Sequence, residues 1–310
     1  MGVIWDHITG DVPLRSEDYS AWWIDQVVVN DNAPRTIAGV CVGGILAVAG
    51  ATIQSVTRNP LTDPYTIGIS SAALLGTTIF IIYGVCIIPV FDGSAAQIAN
   101  AFVFALIPAM AISVVSGLKR LSPNMMILVG IALMYVFSAV TTFLKFNADP
   151  EDLEEIYEWG LGTLVDVGWS ALLPLAGTLA ALTLAMSVMA PQLNILGTGD
   201  ESSMTLGVNP RTVRIIAFTL LSMGTAVAVC YTGSIGFVGL VAPHVARLFV
   251  GSNNRVLIPA SAITGALLVV GADCLARLLP TVLPVGVVTA LIGSPLFLYF
   301  LYMQRKKATW

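Results

Sequence analysis

Charge is what this chain has least of. Only 10% of its 310 residues are Asp, Glu, Lys or Arg, against 56% that are hydrophobic, and the mean hydropathy is +0.87. Soluble globular domains carry about 25% charged residues, so the composition excludes that class and leaves a polytopic membrane protein. Histidine is confined to His7 and His244, 237 positions apart, and no metal site is expected unless the fold gathers the ligands. Cys41, Cys86, Cys230 and Cys274 stand singly in apolar runs without a CxxC spacing, and read as small buried hydrophobes. No GxxxxGKS or GxxxxGKT is present, and none of Lys119, Lys145, Lys306 and Lys307 follows a glycine, so the chain lacks a phosphate-cradling loop. HExxH, GxSxG and a clustered pair of intramembrane carboxylates are missing as well, which argues against a membrane-embedded enzyme. If ATP powers the protein, a separate subunit binds the ATP and its magnesium, and this chain binds no cofactor.

Long apolar runs are abundant. They cover residues 36–56, 65–83, 95–118, 125–146, 169–190, 213–232, 236–250, 256–276 and 284–303. Most reach the ~20 residues that cross a ~30 Å hydrocarbon core. The run 236–250 is short, and parity decides that it crosses. Arg211 and Arg214 precede the run before it, and Arg305, Lys306 and Lys307 close the chain; basic residues stay cytoplasmic, so an even number of crossings separates the two clusters. The expectation is an all-α protein of about nine transmembrane helices in the cell membrane, in contact with lipid. With the N-terminus outside, ten of the 14 basic residues fall in cytoplasmic segments, which sets the N-terminus out and the C-terminus in. Residues 1–34 hold Asp6, Asp11, Glu17, Asp18, Asp25 and Asp31 with Trp5, Trp22 and Trp23. They read as an acidic extracytoplasmic segment lying on the membrane surface, ahead of a transmembrane domain over 35–310.

Two stretches depart from ordinary lipid-facing helix. The first, 233–247, carries Gly233, Gly236, Gly239 and Pro243 and ends in His244 and Arg247. Broken backbone and charge at membrane depth persist only where protein or a water-filled cavity shields them, which makes this a pathway or gate. The alternative is a tight helix crossing that glycine permits. The second is Arg58-Asn-Pro-Leu-Thr-Asp-Pro64, a proline-punctuated break after a run containing Gly39, Gly43, Gly44 and Gly50. A glycine-rich span ending in a proline break thus occurs twice, entering from opposite sides, as in an inverted repeat. The longest inner loop, 196–211, is divided by Gly197, Gly199, Gly207 and Pro210 into helix-sized pieces.

These motifs resemble the permease subunits of ABC importers for iron-siderophores, haem and cobalamin, the FecCD type. The resemblance runs from Pro34-Arg35 through Gly43–Gly50, Gln54 and Arg58–Pro64, then Trp159-Gly-Leu-Gly-Thr163 and 233–247. It ends in Asp273, Ala276-Arg277 and Leu283-Pro-Val-Gly-Val-Val-Thr-Ala-Leu-Ile-Gly-Ser-Pro-Leu-Phe-Leu298. It implies a homodimer around one pathway, two cytoplasmic ABC ATPase subunits and an extracytoplasmic substrate-binding protein; no nucleic acid is expected. The segment 196–211, with Gly197, Asp200, Glu201, Leu206, Gly207 and Arg211, would couple to the ATPase, the alternative being an ordinary connector. Arg35 and Arg277 match arginines that dock the binding protein. Asp273 lies one helical turn before Arg277 and could instead pair with it, whereas Arg35 has only Asp31 near in sequence.

Gate and pathway residues would be Gln54, Arg58, Asn59, Pro60, Asp63, Gly236, Gly239, Pro243 and His244, with Tyr135 and Thr141 on the span 125–146. Family members usually begin with one more membrane helix, whose place the acidic segment takes here. They also carry an arginine and a glutamate where this chain has Asn32 and Val282. The rival reading is a secondary transporter coupled to an ion gradient. It would need Asp273 or His244 as its intramembrane ionisable group.

Overall fold

The computed structural model describes residues 18–118, 123–278 and 283–307. Expectations that rest on residues 1–17, on Lys119 and Arg120, on Val282 and on the side chains of Arg305, Lys306 and Lys307 lie outside what it describes. Every regular element among the described residues is helical.

Helix α1 (Tyr19–Thr57) starts well before the apolar run it contains. Asp18 caps it by accepting from the N–H groups of Ser20 and Ala21, and neither glycine nor proline interrupts residues 19–32. The polar segment therefore joins the first span as one helix. A π turn over Val27–Asn32, in which Ala33 N–H bonds Val28 O, shifts the register just where Pro34 has no N–H to give.

The order continues with α2 (Ile69–Tyr83), α3 (Gly93–Leu118), α4 (Pro123–Lys145), α5 (Pro150–Leu161), α6 (Trp169–Leu196) and α7 (Asp200–Thr205). It ends with α8 (Pro210–Thr232), α9 (Val238–Val250), α10 (Asn254–Leu278) and α11 (Val285–Lys307). Helices α1, α3, α4, α6, α8 and α10 are long and apolar enough to cross a membrane, while α2, α9 and α11 contain shorter apolar segments. Helix α9 offers 13 residues, about 20 Å at 1.5 Å each, and the non-helical Gly233–Phe237 precedes it.

Helix α1 is the spine. Of its apolar window 83% is buried, against 17% for α4 and α6, so it packs inside while they form the rim. It contacts α6, α8, α9 and α10. Glycine sets how close these helices come: a β-carbon on Gly43 would lie 2.3 Å from the Gly265 carbonyl oxygen of α10. The rim leaves Leu128, Tyr135, Val136 and Phe143 of α4 exposed, an apolar side that lipid or another chain must cover.

Candidate functional site

Each break follows the C-terminal end of a long helix, α1 or α8, and the chain beyond the first meets the second inside the bundle. After Thr57, Arg58 turns the chain in the left-handed conformation (φ 54°). After Thr232, the chain passes through Gly233 (φ 66°) and Phe237 (φ 67°) before α9 begins. Arg58 and Phe237 are the non-glycine residues with positive φ among those described, and each costs on the order of 1–3 kcal/mol that neighbouring contacts must offset. Between the breaks, Ile235 N–H donates to the Tyr65 hydroxyl at 3.2 Å and Ser70 Oγ to Ser234 Oγ at 2.8 Å. Asp63 caps the 3-10 turn Pro64–Ile67, accepting from Tyr65 N–H at 2.8 Å, and Asn59 accepts from Leu61 N–H beside Pro60.

Helix α9 runs unbroken through Pro243 but lacks one donor of its hydrogen-bond ladder, and α1 supplies it. Pro243 has no N–H, so the carbonyl of Gly239 four residues earlier has no donor within the helix. Gln54 Nε2 donates to that oxygen at 3.3 Å and to Leu240 O at 3.4 Å, while Gln54 Oε1 accepts from Arg247 Nη1 at 2.6 Å. The approach is possible because residue 50 is glycine: a β-carbon there would lie 1.9 Å from Gly239 O. His244 is buried, with Nδ1 3.2 Å from Leu240 O and its ring stacked on Phe300. Gly236, by contrast, faces open space.

A second centre lies where α1 ends. Asp200, the first residue of α7, accepts from Arg214 Nη1 and Nη2 at 2.7 and 2.6 Å and lies 3.0 Å from Arg58 Nη2. Arg214 is buried, with Nε 3.5 Å from Val56 O. Hydrogen bonding from Arg214, assisted by the charges of both arginines and opposed by partial burial, holds the Asp200 carboxyl below the usual carboxylate range. An amide cluster braces the same end: Asn254 N–H and Nδ2 both donate to Asn194 Oδ1 at 2.9 Å, and Ser55 Oγ donates to Asn254 Oδ1 at 2.9 Å. Beside α7 runs a groove of about 610 Å³ lined by Glu201, Met204, Gly207, Arg211 and Met126. Leu206 is exposed there, and Gly197 continues the last turn of α6 by bonding Leu193 O.

Near the middle of α1, just after its π turn, Asp273 joins two arginines. Its Oδ1 accepts from Arg35 Nε at 2.8 Å and its Oδ2 from Arg277 Nη2 at 2.5 Å, while Arg277 Nη1 donates to Asn32 Oδ1. Arg35 is buried. The reading that left it no acid but Asp31 is corrected by a partner 238 positions away in sequence. On α4, Thr141 is buried with Oγ1 bonded to Phe137 O, whereas Tyr135 is exposed on the rim.

Comparison with known proteins decides what these centres belong to. The model of the FecCD transport family matches residues 3–303. The chain belongs to the FecCD transport family. It is 39% identical over 289 residues to the cobalamin import system permease protein of Halobacterium salinarum, covering 91% of this chain and 75% of that relative. It is 35% identical over 291 residues to the hemin transport system permease protein of Yersinia pestis, covering 93% and 86%. A solved structure of an inward-facing conformation of a metal-chelate type ABC transporter is similar, with a TM-score of 0.84 at 30% identity, over 94% of this chain and 91% of that one. FecCD chains are the transport permeases of ABC importers; they are not catalytic, and the ATPase is a separate subunit.

In this FecCD chain, sequence reasoning missed Arg214 as the partner of Asp200, and Asn194 and Asn254 as the brace between α6 and α10. Only the position of Arg214 one turn after Pro210 hinted at the first of these. The cluster around Asp273 yields a modest expectation. Arg277→Ala removes a partly exposed guanidinium and leaves Asp273 paired with Arg35, so a loss of about 1 kcal/mol is expected, read as a small drop in Tm.

Proposed function

We propose that this FecCD chain is the permease of an ATP-driven importer that moves a metal chelate, either a ferric siderophore or haem, or cobalamin inward by alternating access. The observation that carries the reading, within the family match, is the Arg58–Asp200 pair. Asp200 opens α7, and Arg58 sits one helical turn beyond Gln54, the residue that holds α9. A displacement of α7 therefore reaches α9 through the end of α1. Two cytoplasmic ABC ATPases, carrying ATP and magnesium, would press on the segment 196–211 at Glu201, Leu206 and Arg211. An extracytoplasmic binding protein would dock at the end bearing Arg35 and Arg277.

The proposed topology is nine crossings with the N-terminus out and the C-terminus in. The opposed breaks support an inverted-repeat arrangement. A homodimer would cover the exposed apolar side of α4, with lipid covering the rest. The test is ATPase activity in liposomes holding this chain with its ATPase, on addition of binding protein loaded with haem, a ferric siderophore or cobalamin. Stimulation by one loaded cargo is expected; failure of the chain to form a complex with any ATPase would overturn the reading.

A further inference from the structure

A cavity of about 250 Å³ between α2, α4, the end of α5 and the loop before α9 is walled by hydroxyls, with one ammonium beside them. On α4 its residues are Ser138, Thr141, Thr142 and Lys145, at i, i+3, i+4 and i+7, so one polar stripe runs along the second half of a helix that also exposes Leu128, Tyr135, Val136 and Phe143. A hydroxyl stripe gains nothing from lipid, and it marks the side of α4 that faces water or cargo.

Hydrogen-bond accounting states what this wall offers. Thr141 and Thr142 donate to Phe137 O and Ser138 O, each at 2.8 Å, and Ser70 donates to Ser234 Oγ. Those protons are committed. The hydroxyl protons of Ser71, Ser138 and Ser234 have no acceptor among the described residues. The Lys145 ammonium lies 4.4 Å from the Tyr157 ring centroid, a contact that leaves its N–H donors available. The wall thus has a surplus of donors and one positive charge, and no carboxylate lines it.

We infer that this cavity receives a carboxylate of an anionic cargo, taken up by Lys145 and the hydroxyls of Ser71, Ser138 and Ser234. The inference rests on the importer reading above and narrows it. Its volume is below the ~300 Å³ of a whole-ligand pocket, so it fits one arm of the cargo, not the entire molecule. The carboxylate could belong to a polycarboxylate iron chelate or to the propionates of haem. A cobalamin has no carboxylate: its short arms are neutral amides, and its anionic group is the phosphodiester of its nucleotide loop.

The test uses the full complex of chain, ATPase and binding protein in liposomes, with ferric citrate, haemin and cyanocobalamin as separate probes. Expected is ATP-dependent uptake of ferric citrate or haemin, whichever supplies the carboxylate. Lys145→Gln and the double variant S71A/S138A should each lower it about tenfold, and Lys145→Arg should retain it. The serine changes remove only oxygen atoms, so the complex should be recovered in normal yield. Uptake of cyanocobalamin alone, or wild-type rates in both Lys145→Gln and S71A/S138A, would overturn the inference and leave the importer reading standing. No ATP-dependent uptake of ferric citrate or haemin would overturn this inference, and failure of the chain to form a complex with the ATPase would overturn the importer reading with it.

Discussion

Gly50→Ala is expected to prevent the helix bundle from packing. A β-carbon at residue 50 would lie 1.9 Å from Gly239 O and 2.7 Å from Gly239 Cα, both backbone atoms that no rotamer change can move aside. Helices α1 and α9 would have to separate, and the separation breaks the Gln54 bond to the Gly239 carbonyl that Pro243 leaves without a donor. Overpacking costs about 1–3 kcal/mol and an orphaned buried carbonyl about another 1–3 kcal/mol, together enough to unfold a marginally stable protein. Thermal unfolding in detergent with size-exclusion recovery reads the outcome. Gly236→Ala is the matched control, because nothing lies within 4 Å of a β-carbon there. Equal stability of the two variants would show that the α1–α9 contact does not hold the site.

Asp200→Ala should abolish ATP-driven uptake while the membrane helices stay folded. The change leaves Arg214 buried with only the 3.5 Å contact to Val56 O. Breaking a buried pair costs about 3–5 kcal/mol, and water reaching the partly exposed Asp200 places this case at the lower end. That energy falls on the six residues of α7, which are expected to detach before the bundle does. Arg58→Ala, which removes the more exposed of the two arginines, should cost at most about 1 kcal/mol of stability and still reduce uptake, because it cuts the link to α1.

The pH dependence has a fixed sign. A carboxyl held below its ordinary value stabilises α7 at every pH above about 3.9, and the contribution disappears only as pH falls through the lower folded value. ATPase association should therefore be flat from pH 8 to 5.

Much of the helical order was legible because apolar runs of span length leave few other structures in lipid. The breaks at Arg58 and Gly233 were legible because proline and glycine announce them. The start of α1 was not: acids and tryptophans on residues 18–32 read as a surface segment, yet nothing there stops a helix, and Asp18 caps it. Partnerships escaped for a different reason. Arg35 with Asp273 and Gln54 with Gly239 join positions about two hundred residues apart, and no local spacing encodes such a pair. Asp273 and Arg277, one turn apart, were visible as half of a cluster whose other half lay on α1. Coordinates also change the weight of the rival reading. Asp273 is bound by two arginines and His244 is packed beside Phe297 and Phe300, so neither stands as an exposed ion-coupling group.

Uptake measured in liposomes with and without the ATPase subunit tests the importer account most directly. Radiolabelled ferric citrate, haemin and cyanocobalamin serve as cargo, delivered by the binding protein under an imposed proton or sodium gradient. The account predicts uptake of one cargo only when the ATPase and ATP are both present, with the gradient making no difference. Uptake by this chain alone, driven by the gradient, would contradict it.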